Sequence, residues 1–157
     1  MKKLVIYLLS IVLLCGCSSS QASTTSEEKK SQAELETEQL ISALDMDGLV
    51  QVKNRVVLGM VFSGDKDVIN DSCMYRSDTD GDYDMVGVFY PNDMDKALSY
   101  LDEYLSSLKS ECNKNYPQEV FKISNAIEKH NDNEIILVIS SNIEKARTQV
   151  ESILENQ

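Results

Sequence analysis

Four aspartates alternate through one short stretch, Asp78, Asp80, Asp82 and Asp84, and an oxygen-rich loop of this kind is what a hard cation such as calcium takes as ligands. The EF-hand frame fails in both registers. With Asp78 at the first loop position, Tyr83 falls where that frame demands glycine; with Gly81 as the glycine, Arg76 takes the first position and Gly87 replaces the final glutamate. Two readings remain, a hairpin turn rich in residues that bend easily and a non-helical calcium loop, and no metal ligand set is assigned. Cys73 and Cys112 belong to no CxxC pair, and tetrahedral zinc would need further donors. His130, the sole histidine, sits beside Asn131-Asp132-Asn133 and reads as an exposed turn-flanking residue rather than a catalytic base. Ser140 and Ser141 lack the glycine-flanked elbow of a nucleophile and read as helix caps. There is no phosphate-cradling glycine loop and no paired-histidine metal helix, so no cofactor is implied and no catalytic residue is assigned. Tyr75, Tyr83, Phe89, Tyr90, Tyr100, Tyr104 and Tyr116 could line a ligand groove or simply pack the core and its edges.

The chemistry with a clear address is at the start of the chain. Lys2 and Lys3 precede an apolar run from Leu4 to Leu14 and then Leu14-Cys15-Gly16-Cys17, the layout of a secretory signal with a small residue at the cut. The run is too short to span a bilayer, which takes roughly 20 apolar residues. The junction resembles the lipobox of bacterial lipoproteins. Residues 1–16 are therefore expected to be a lipoprotein signal peptide cut between Gly16 and Cys17, with a diacylglyceryl group on the Cys17 sulfur. Cys15 does not suit this role, because Leu14 before it is too bulky for the cleavage site. Each buried methylene contributes about 0.8 kcal/mol, so two acyl chains hold a protein where one binds only reversibly. The partner so implied is the membrane itself, at the outer face of the cell membrane. An ordinary secreted protein cut near Gly16 or Ala22 is the alternative.

Residues 17–31 are the lipidated cysteine and a Ser/Thr-rich tether with nothing to build a core; about 14 such residues reach roughly 20 Å. Residues 32–157 then form a single domain of a size that suits one core. The chain carries a formal net charge of −11, and loss of Lys2 and Lys3 takes the mature form to −13. Such a surface repels nucleic acid and anionic lipid; cationic ligands, divalent ions or a basic protein partner stay compatible, and a solvated acidic surface that simply maintains solubility is the plainer reading.

The element pattern is mixed. Leu35, Leu40, Ile41 and Leu44 recur at helical spacing, as do Val56, Val57, Met60 and Val61 before Ser63-Gly64. Val68 to Ser77 and Tyr83 to Tyr90 flank the aspartate-rich turn and predict a hairpin. Asn92 or Asp93 can cap a helix whose stripe is Met94, Ala97, Leu98, Leu101, Leu105, Leu108 and Cys112. Pro117 opens a short helix. Ala126 to His130 and Glu134 to Ser140 predict a second hairpin, and Ser141-Asn142-Ile143-Glu144 has the capping-box form ahead of a last helix bearing Ile143, Ala146, Val150, Ile153 and Leu154. The expected fold class is α+β, a four-stranded antiparallel sheet from two hairpins with helices packed mainly on one face. Cys112 lies on a buried stripe and a strand at Cys73 could pack beneath it, so a Cys73–Cys112 disulfide is one option and two separate buried thiols the other.

Tyr116-Pro117-Gln118-Glu119, Asn125-Ala126, Ile135-Ile136-Leu137-Val138-Ile139-Ser140 and Glu144-Lys145-Ala146, with Val86-Gly87-Val88-Phe89 and Lys96-Ala97 upstream, resemble the signature of an uncharacterised lipoprotein family of Gram-positive bacteria, domain-of-unknown-function family 4358. The likeness covers most of the mature domain. Gly87, where a larger strand residue is expected, and Cys73 and Cys112 depart from it. The resemblance implies an extracytoplasmic location and this fold, and brings no substrate. The functional expectation is a tethered, non-catalytic binding or protein-interaction module of the cell envelope with an envelope protein as partner. The alternative is a small cell-envelope enzyme using acidic residues.

Overall fold

The computed structural model describes residues 29–155. The signal peptide, the Gly16–Cys17 cleavage site, the Cys17 lipidation site and most of the tether lie outside the described residues.

Helix α1 (Gln32–Leu44) starts at Ser31, whose hydroxyl oxygen accepts from the Glu34 N–H, and stops at Asp45, which turns left-handed at φ 55°. Two residues then pair as strand β1 (Val50–Gln51), and helix α2 (Asn54–Val61) follows. Ser63 and Gly64, both at positive φ, end α2, and the Gly64 N–H closes onto the Leu58 carbonyl at 2.8 Å. Strands β2 (Ile69–Arg76) and β3 (Met85–Pro91) form the first hairpin. Asp93 caps the long helix α3 (Met94–Asn115) by accepting from the Lys96 N–H at 3.1 Å. A 3-10 turn (Pro117–Glu119) leads into the short helix α4 (Val120–Ser124). The second hairpin is β4 (Ile127–His130) and β5 (Ile135–Ile139), and helix α5 (Ile143–Glu155) closes the described chain. Asn142 caps α5, accepting from the Lys145 N–H, while Ser140 accepts from the Asn142 N–H; the cap sits one residue after the Ser141 of the expected capping box.

The fold is α+β with an antiparallel sheet, and two expectations need correction. The sheet has five strands, in the order β1-β2-β3-β5-β4, rather than four. The extra strand, β1, is a two-residue edge paired to Arg76 and Tyr75, too short for any alternation to be readable. The helices are not gathered mainly on one face. Helices α2, α3 and α4 cover one side, packing Val57, Phe62, Leu101 and Ile123 onto Met74, Phe89 and Leu137. Helices α1 and α5 cover the other, packing Leu40, Ala146 and Val150 onto Cys73, Val88 and Val138. The cause lies in the two central strands. The first five residues of β3 and every residue of β5 are buried, so apolar side chains project from both faces and each face needs a cover.

The same layering separates the two thiols. Cys73 packs in one hydrophobic cluster and Cys112 in the other, on opposite sides of the sheet, and both are free and buried. Burial pushes both thiols up.

Candidate functional site

The β2–β3 loop crosses the C-terminal half of α3 and leaves a groove of about 590 Å³ between them. One stripe of α3 forms a wall, with Tyr100, Glu103, Tyr104, Ser107, Leu108 and Glu111 recurring at three-four spacing. Tyr104 and Met85 form the floor, both at least nine-tenths buried, and the Tyr104 hydroxyl donates to the Met85 sulfur at 3.8 Å. Burial raises the Tyr104 phenol to about 12, with Arg76 pulling the other way, so it stays protonated at neutral pH. The far wall is the loop itself. Tyr83 and Tyr116 meet edge to face with centroids 6.1 Å apart, and the Tyr116 hydroxyl donates to Asp80 at 2.6 Å. Gly81, at φ +79°, lets the loop lie flat on the Tyr116 ring; a Cβ there would stand 2.7 Å from two ring carbons.

The aspartates of the loop divide into two sets. Asp82 and Asp84 turn to the Lys122 ammonium of α4, each at 2.8 Å, and Glu119 joins them at 2.8 Å. Burial of Lys122 favours its neutral form, but its bonds to Asp82, Asp84 and Glu119 outweigh this and hold the ammonium well above its ordinary value. Burial likewise works against ionised Asp82, and its bonds from Lys122 and Ser77 prevail, keeping that carboxyl low. The place a cation would take is thus filled by a lysine of the same chain. Among the described residues no group of three or more His, Cys, Asp and Glu is placed to hold a metal ion. All four aspartates line the groove with Glu103 and Glu111, but Asp78, Asp80, Glu103 and Glu111 form no ion pair with a described residue.

Replacing Lys122 by Met keeps the stem and removes the charge, leaving three carboxylates facing one another. Because the carboxylates are partly solvated, the expected loss is only roughly 1 kcal/mol of unfolding free energy. Amide exchange in residues 77–84 should quicken while that of β5 stays unchanged; equal protection of the loop in both proteins would refute the clamp.

A second constellation was hidden in the sequence. Glu36 of α1 is 3% exposed, and Glu134, in the β4–β5 turn, is fully buried. Tyr90 donates to Glu36 Oε2 at 2.7 Å, the Gln32 amide donates to Oε1, and Asn131 Nδ2 donates to Glu134 Oε1 at 3.0 Å. Among the described residues the Glu134 Oε2 atom has no donor. Burial, then the neighbouring Glu36 carboxyl, carry the Glu134 carboxyl up to about 7, with Tyr90 and Asn131 pulling the other way. The proximity of Glu36 and the loss of water thus favour the protonated form of Glu134, which is buried away from the groove.

Of the other residues singled out in the sequence, His130 is exposed at the end of β4 and Ser140 accepts a backbone bond. Tyr83, Tyr100, Tyr104 and Tyr116 come together at the groove, whereas Tyr75 and Tyr90 pack on the opposite side of the sheet and Phe89 is core. The α3 stripe read from the sequence passed over Tyr104, which is more buried than its neighbour Leu105. No protein-family model matches the chain, and neither a curated protein nor a solved structure matches it.

Proposed function

We propose that this chain is a membrane-anchored extracytoplasmic lipoprotein, held through a diacylglyceryl group on Cys17, whose domain is a non-catalytic binding module working through the groove beside α3. The anchor rests on the charged start, the short apolar run and the lipobox-like junction. Kinship with the Gram-positive lipoprotein family is part of the same proposal and rests on the strand and helix motifs quoted above. No helix among the described residues is long and apolar enough to cross a membrane.

The observation that carries the binding reading is the groove itself. Its volume lies within the roughly 300–1,000 Å³ of ordinary ligand sites, and it joins an aromatic and thioether floor to walls rich in carboxylates and hydroxyls. The buried carboxyl pair Glu36 and Glu134 lies outside this groove, whose own acids are Asp78, Asp80, Asp82, Asp84, Glu103 and Glu111.

Chemical crosslinking of the native membrane-attached protein, with mass analysis of its N-terminal peptide on the same material, tests the proposal. The expected result is a lipid on Cys17 and one recurrent envelope protein joined to it. An unmodified Cys17 defeats the anchor, and repeated recovery of no partner defeats the binding module.

A further inference from the structure

We infer that the groove receives a short basic peptide segment of a partner protein, with an arginine or lysine side chain laid over Tyr104 and its charged end among Asp78, Asp80, Glu103 and Glu111. This rests on the binding-module reading and names the class of partner.

The first support is the way charge is distributed. Six acids line the groove; Asp82 and Asp84 share the Lys122 ammonium with Glu119, whereas Asp78, Asp80, Glu103 and Glu111 form no ion pair with a described residue. Arg76 is the only Lys or Arg among the described residues that line the groove, and its Nη1 points to the Met60 sulfur at 3.9 Å rather than to a carboxylate. Gathering unpaired like charges around a low-dielectric floor costs free energy that an incoming cation returns. The second support is the floor and walls. Faces of Tyr attract a guanidinium or ammonium through the ring quadrupole, and thioethers of Met60 and Met85 adapt to an aliphatic stem. A lysine or arginine carries both parts, a stem to bury and a charge to keep at the rim. The third is length. The wall from Tyr100 to Glu111 rises about 16 Å along α3, which matches roughly five residues of extended chain.

The test uses the full-length protein in detergent and two capped pentapeptides, Leu-Arg-Leu-Arg-Leu and the same sequence with citrulline for arginine, which keeps the shape and removes the charge. Binding is read from amide shifts of Gly81, Tyr104 and Ser107. The arginine peptide should perturb these three and bind at least about tenfold more tightly than the citrulline peptide. The double variant E103Q/E111Q, which changes only exposed side chains, should lose about tenfold in affinity, while D132N, in the distant β4–β5 turn, should not change. Raising salt should weaken binding, as screening requires. Equal binding of the two peptides at these amides would overturn the need for a cation and leave the groove as a binding site. Shifts confined to another face, or none at all, would overturn the inference outright.

Discussion

Phe89→Ala is expected to lower the unfolding free energy by about 3–5 kcal/mol, the usual cost of emptying a large aromatic site in a packed core. Phe89 is fully buried in the middle of the sheet and meets Phe62 edge to face at 5.3 Å. Its ring also folds back over Gly87, two residues earlier on the same face of β3, so that a Cβ at Gly87 would lie 2.7 Å from the ring tip and 3.5 Å from Met74 Cγ. This is why the strand carries glycine at a position where a larger residue is expected. Gly87→Val should therefore cost about 1–3 kcal/mol by overpacking. The two sites share one volume, so their effects should not add: in the Phe89→Ala background the valine moves into the space the ring has left. Urea unfolding of the two single variants and the double variant measures the coupling. A double variant whose loss equals the sum of the singles would mean that the ring does not occupy the space above Gly87.

Glu134→Gln is expected to stabilise the protein at pH 8 by on the order of 2 kcal/mol and to leave it nearly unchanged at pH 4.5. The sign follows from the direction of the shift. The folded value of about 7 lies above the ordinary 4.5, so the native state binds the extra proton between those values. The contribution of this group is fully present below about pH 4.5 and is lost as pH rises through about 7. A glutamine stays neutral throughout and its amide can still donate to Glu36. Unfolding curves from pH 4.5 to 8 should slope downward for the natural protein, and less so for the variant. Parallel curves would mean that Glu134 is not the group that takes up the proton.

Much of the fold was legible because local patterns and packing agree. The α3 stripe, the Asp93 cap, the two hairpins and the stop at Ser63-Gly64 each follow from spacing or turn chemistry. The helix covering of both faces was written in the unbroken apolar run Ile135–Ile139, the pattern of a strand buried on two sides. It does not follow from counting hairpins. In α1 the apolar pattern misleads: Leu35 is 44% exposed, while Glu36 and Thr37 are buried. A polar residue can take a core position only when its partners arrive from elsewhere, here Tyr90 and the Glu134 turn, and such partners leave no local trace. The groove is similar. Its tyrosines and acids come from two elements, and the division of the aspartates depends on Lys122, some 40 residues away in an unmarked segment.

Hydrogen exchange of the protein in membranes that hold its natural neighbours, compared with the purified protein, tests the groove as the working surface most directly. The prediction is added protection confined to residues 77–84 and 100–111. Protection confined to the α1/α5 face, or no difference between the two samples, would contradict it.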